Sequence, residues 1–126
     1  MKTVVVTKKA PGAIGPYSQG IKGNGFVFVS GQLPINMATG ELATGGIQAQ
    51  TKHSLENVKA VLEAAGATLA DVVKSTVFIQ HMDDFGAMNE VYAQYFQQEC
   101  PARSCVEIAK LPKGALVEVE VIAAIK

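Results

Sequence analysis

The stretch that most constrains the fold is Pro101 to Ala124, PARSCVEIAKLPKGALVEVEVIAA. Arg103, Cys105 and Glu107 alternate with Ala102, Ser104, Val106 and Ile108, the period of two that belongs to a strand. Beyond Leu111-Pro112-Lys113-Gly114, a turn signal, Glu118, Glu120 and Ile122 alternate with Val117, Val119 and Val121. Two strands joined by a turn predict an antiparallel hairpin. It would set Glu118 level with Cys105 or with Glu107, according to the length of the turn. A guanidinium, a thiol and carboxylates would then share β-rich backbone near the end of the chain. Arginine offers a planar fork that takes a carboxylate through two parallel hydrogen bonds, and a fixed carboxylate serves as a base toward water. The same pattern also describes a hairpin with one solvated polar face and no chemistry.

The earlier part of the chain supplies the other elements. Thr3 to Thr7 predicts a short β-branched strand. A long loop follows through Gly20, stiffened by Pro11 and Pro16. Ile21-Lys22, a Gly23-Asn24-Gly25 turn and Phe26 to Gln32 read as a hairpin, with Phe26, Phe28 and Ser30 on one face and Val27, Val29 and Gly31 on the other. Gly31 permits a bulge or a close approach of backbone to a ligand. From Ile47 the period changes. Ile47, Thr51, Leu55, Val58, Leu62 and Ala65 form one helical stripe, stopped by Gly66. Val72 to Gln80 reads as a strand. With strand 26–32 and helix 47–65 it predicts a βαβ unit, hence a parallel pair with a right-handed crossover. Asp83 or Asp84 opens a second helix running to about Gln98. Its apolar side carries Phe85, Met88, Tyr92 and Phe96, with Asn89 among them. His53 lies outside the first stripe and His81 in a loop, and both are assigned to the surface. No second His or Cys stands at ligand spacing, so no metal site is expected.

The order β-β-α-β-α-β-β predicts one α+β domain over residues 1–126, a mixed sheet with both helices on one face. The other face would need a partner. Composition points the same way, since 48% of residues are hydrophobic and only 17% charged, leaving little polar surface for a monomer. The formal net charge is zero, so nothing steers the chain to phosphate backbones or anionic membranes. No apolar run approaches a membrane span, and Met1 to Val6 is too short for a signal peptide. Cys100 and Cys105, roughly 16 Å apart on extended backbone, lie beyond disulfide reach. Free thiols in a reducing cytoplasm are the expectation.

The C-terminal stretch resembles the signature of the Rid/YjgF family, whose best-known branch comprises enamine/imine deaminases. Ala13-Ile14-Gly15-Pro16-Tyr17-Ser18-Gln19, Val29-Ser30-Gly31-Gln32 and Ser54-Leu55-Glu56-Asn57-Val58 are similar to that family in the same order, so the resemblance spans nearly the whole chain. It implies a homotrimer of chorismate-mutase-like subunits with sites in the clefts between them. It implies hydrolysis of 2-imino or 2-enamino acids, such as 2-iminobutanoate and 2-iminopropanoate, to 2-oxo acids and ammonia, without a cofactor. By the same resemblance Arg103 holds the substrate carboxylate, and Glu118 orients and activates water. Tyr17 stands beside the substrate, and Ser30, Gly31 and Asn89 line the site. Glu120 shares the face of Glu118, so that choice rests on alignment. Cys105 has two readings, a nucleophile with its pKa lowered by Arg103 or a residue that lines the site, and the second is favoured because imine hydrolysis needs no covalent step. Cys100 departs from the family, which commonly has an aromatic or apolar residue before Pro-Ala-Arg. An RNA-directed activity attached to some relatives is disfavoured by the neutral charge. A non-catalytic binder of small carboxylates is the remaining alternative.

Overall fold

The computed structural model covers residues 1–126. Strands β1 (Lys2–Val5), β2 (Gly20–Gly23) and β3 (Phe26–Gln32) precede a two-residue ribbon, β4 (Ile35–Asn36) and β5 (Glu41–Leu42). Helix α1 (Gly46–Ala64), strand β6 (Val72–Ile79), helix α2 (Phe85–Tyr95), β7 (Ala102–Glu107) and β8 (Val117–Ala124) complete the chain. Six strands form one mixed sheet in the order β1-β2-β3-β8-β6-β7. The α+β architecture with two helices and a mixed sheet is the one expected.

The hairpin expected over Pro101–Ala124 does not form. β7 pairs with β6 in parallel, β8 pairs with β6 antiparallel, and β6 therefore lies between them. The connection passes around the end of β6. Ile108 N donates to Ile79 O, and Gln80 N donates to Leu116 O, so the two flanks of the connection bracket one strand end. The expected pairing of 26–32 with 72–80 fails for the same kind of reason: β8 is inserted between them and is antiparallel to both. The hydrogen-bonded parallel pair is β6–β7, with α2 as its crossover.

The core lies between the helices and one face of the sheet. Val27, Val29, Val77, Ile79, Val117, Val119 and Val121 meet Leu55, Val58, Val61 and Leu62 of α1 and Met88 and Tyr92 of α2, all buried. Each fully buried apolar side chain of this kind contributes about 1.5–3 kcal/mol relative to exposure. The stripe of α1 is broader than its apolar residues, because Gln50, Ser54 and Asn57 are also buried. Asn57 donates to the carbonyls of Leu33 and Ile35, which pins the ribbon to the helix. Gly66, with φ +83°, takes the left-handed position that ends α1. Helix α2 ends at Tyr95, short of Gln98, and Asp84 at its start makes no side-chain cap. The opposite face of the sheet carries no helix. Phe26 and Phe28 are 40% and 45% exposed there.

Candidate active site

The residues singled out from the sequence fall into two groups, one on each face of the sheet. Arg103 and Cys105 are level with Ser75 and Val77 of β6, whose side chains are buried in the core. Paired residues in a ladder share a face, so Arg103 and Cys105 belong to the helix side, at the edge strand. Glu118 and Glu120 are level with Phe78 and Thr76, on the face without helices.

The hydrogen-bond and ring partners of the Arg103 guanidinium come from helix α2. Arg103 Nη1 donates to Asn89 Oδ1 at 2.7 Å. Its Cζ lies 4.7 Å from the centre of the Tyr92 ring and 5.4 Å from that of Phe85. These partners are uncharged, so the positive charge is not neutralised by them, and one donor of the five in the guanidinium is committed to Asn89. Burial pushes the Tyr92 phenol up, against a smaller pull from Arg103. Burial also pushes the Cys105 thiol up, against a smaller opposing pull from Arg103. The net direction disfavours the thiolate that a nucleophilic Cys105 would need. Glu107, which the hairpin would have set beside Glu118, accepts a hydrogen bond from Met82 N at 2.7 Å and ties β7 to the helical turn just before α2.

On the other face, β3 is bulged. Val29 pairs with Val121 and Gln32 with Val119, so Ser30 and Gly31 together oppose Glu120. The bulge breaks the expected alternation and turns Gly31 away from Val27 and Val29 and toward Glu118. A Cβ placed on Gly31 would stand 2.8 Å from Glu118 Cδ and 2.9 Å from Oε2. Burial, reinforced by the neighbouring Glu120, raises the Glu118 carboxyl above its usual range. A carboxylate with a raised pKa is a stronger base when ionised, which suits it to take a proton from water.

Tyr17 is 51% exposed on the long loop. It lines a hollow of 440 Å³ on the bare face with Ser18, Phe28, Ser30 and Glu120. The Ser30 hydroxyl donates to Ser18 O at 2.6 Å, and Ser30 N donates to Gln19 O. Ser30 thus holds the Tyr17 loop against β3. Gln19, not singled out from the sequence as more than a motif letter, is 4% exposed. Its amide bonds Thr7 in both directions and donates to Ala10 and Pro11 carbonyls. It braces the loop from within. A polar residue directly after Tyr17-Ser18 in a proline-bounded loop was the one available signal for it.

A mixed sheet with helices on one face, and with a carboxylate on the other held against bulged backbone, defines a small α+β protein with its ionisable candidate residues split between the two faces. The chain belongs to the Rid/YjgF family, a family of reactive-intermediate deaminases: the family model described as Endoribonuclease L-PSP matches residues 7–125. A RutC family protein of Pyrococcus horikoshii is 54% identical over 98% of both chains. The 2-iminobutanoate/2-iminopropanoate deaminase of Capra hircus is 45% identical over 98% of this chain and 90% of its own. The crystal structure of Escherichia coli TdcF with bound serine matches with a TM-score of 0.94 at 47% identity, over 98% of this chain and 99% of that one.

Proposed function

We propose that this protein hydrolyses short 2-imino and 2-enamino acids, such as 2-iminobutanoate and 2-iminopropanoate, to the 2-oxo acid and ammonia. The observation that carries the reading is the guanidinium of Arg103, which lies over two rings and donates a hydrogen bond to the neutral Asn89. The name of the goat relative and the serine in TdcF support a ligand with a carboxylate. An imine carbon is already electrophilic, so the site has only to hold the carboxylate, place a water and move protons. Arg103 holds the carboxylate. Glu118 takes a proton as water adds to the protonated C=N, giving a neutral carbinolamine; it returns that proton to nitrogen, then accepts the hydroxyl proton as C=O forms and ammonia leaves, and releases it to solvent.

Arg103 and Glu118 stand on opposite faces of one subunit, so the reading requires a second copy. We place the site between subunits of a homotrimer, Arg103, Cys105 and Asn89 coming from one and Tyr17, Ser30, Gly31 and Glu118 from its neighbour. The bare sheet face with Phe26 and Phe28 exposed supports such packing.

The test couples the protein to threonine dehydratase and follows 2-oxobutanoate release with an imine trap present. Faster release is expected. Arg103→Ala should lose about two orders of magnitude in kcat/KM, because a bidentate charge-assisted pair contributes about 3 kcal/mol. Arg103→Lys keeps the charge without the fork and should recover little. Wild-type activity in Arg103→Ala would sink the assignment, and no acceleration by the wild type would leave a carboxylate binder without turnover.

A further inference from the structure

Phe85, Asn89 and Tyr92 stand at i, i+4 and i+7 of α2, one stripe of the helix. All three touch the same guanidinium. The two nearest to the core and the edge differ in exposure, with Tyr92 at 7% and Phe85 at 36%. Tyr92 is therefore the buried ring contact of Arg103, and Phe85 the ring contact nearer solvent. An arginine on an edge strand would otherwise sample many rotamers, losing much of its entropy only when substrate arrives.

We propose that this stripe is a cradle that fixes the Arg103 fork before substrate binds, with Phe85 and Tyr92 as positioning residues and Asn89 setting the rotation of the fork. The inference rests on the reading of Arg103 as the carboxylate clamp. Contact with the two rings restricts where the guanidinium can sit, and Asn89 Oδ1 accepts a hydrogen bond from Nη1, so the remaining N–H groups point in a set direction. Asn89 acts through Arg103 instead of through the substrate. The ring of Tyr92, not its hydroxyl, carries the effect. That hydroxyl is buried and makes no hydrogen bond, so removing it breaks none.

Arg103 is the only arginine in the chain, which gives the test a clean probe. Arginine-selective 15N labelling should yield one guanidinium signal set, displaced by ring currents and with slowed rotation about the Cζ–Nε bond. Phe85→Leu and Tyr92→Leu should each move these signals toward free arginine and lower kcat/KM about tenfold. Tyr92→Phe should leave both within about twofold of wild type. Asn89→Asp should pair with the fork and abolish 2-oxobutanoate binding, read by calorimetry. In the Arg103→Ala background, Tyr92→Leu should cost nothing further in kcat/KM, an outcome that general destabilisation would not give. If Tyr92→Leu does not fold, Phe85→Leu, on the solvent side, carries the same readouts. Unchanged Arg103 signals in a folded Phe85→Leu or Tyr92→Leu would overturn the cradle. Moved signals with no deamination by the wild type would keep the cradle and overturn only the deaminase reading.

Discussion

The carboxyl of Glu118 rests on the backbone of Gly31, too close for any side chain to stand between them. Gly31 does not take a left-handed φ, so its need for glycine is one of space. That separates the steric requirement from backbone strain and makes it testable.

Gly31→Ala would put a methyl group 2.8 Å from Glu118 Cδ. The carboxylate must swing away, since the backbone of a bulge between paired strands yields less readily. A displacement of about 1 Å at a reacting group can cost about 10²-fold. We expect kcat to fall by that order with KM for the imino acid within a few-fold and the circular dichroism unchanged. Full activity in Gly31→Ala would show that the Glu118 position does not matter to the reaction.

The raised Glu118 carboxyl makes two pH predictions. As a base it must be ionised, so its pKa sets the acid limb of kcat/KM. Glu120→Gln removes the like-charge contribution and should move that limb to lower pH while keeping the plateau. Glu118→Gln should abolish the plateau. For stability the sign is the reverse of a salt-bridged acid: a folded-state pKa above the unfolded value favours the native state at low pH, and that contribution is lost as pH rises through the folded value. Glu118→Gln should therefore raise Tm at pH 7.5 more than at pH 4, read by thermal melts. A pH profile that keeps its acid limb in Glu118→Gln and loses it in Glu120→Gln would exchange the roles of the two carboxylates.

Much of this arrangement was legible in the sequence, and the rest was not for identifiable reasons. Alternation in Ala102–Glu107 and Val117–Ala124 marked both strands and put Arg103 with Cys105, and Glu118 with Glu120, correctly within each strand. Their neighbours depend on long-range pairing, and a proline-glycine turn at Pro112–Gly114 looks the same whether it closes a hairpin or carries the chain past β6. The bulge at Ser30–Gly31 adds one residue with no mark except a glycine, so Gly31 was read onto the wrong face. The spacing of Phe85, Asn89 and Tyr92 was visible as a helix stripe. That it faces an arginine and not only the core follows from the parallel β6–β7 pairing, which no local pattern records.

The family model carries the name of an endoribonuclease, and the chain has zero formal net charge. Affinity for RNA rests largely on neutralised phosphates. We expect binding of a generic single strand to be undetectable at low micromolar protein in physiological salt, measured by fluorescence anisotropy. Tight binding that falls steeply with salt, or RNA cleavage lost in Arg103→Ala, would favour an RNA-directed role.

The last prediction follows from the opposite placement of Arg103 and Glu118. Arg103 is level with Ser75 on the helix side, Glu118 with Phe78 on the bare side. A sheet one backbone thick and two strand spacings, about 4.8 Å each, separate the two within one copy. A substrate with its carboxylate one bond from its imine carbon does not bridge that path. If the site is shared between copies, Arg103→Ala and Glu118→Gln should each be inactive yet complement one another. Mixed in equal amounts, dissociated and reassembled, they leave about one quarter of the head-to-tail interfaces with Arg103 intact on one side and Glu118 intact on the other. Activity should return to about a quarter of the wild-type rate. Native mass spectrometry of differently tagged chains would verify that mixed assemblies formed. Mixed assemblies without recovered activity would place both residues' contributions within a single subunit and remove the shared cleft.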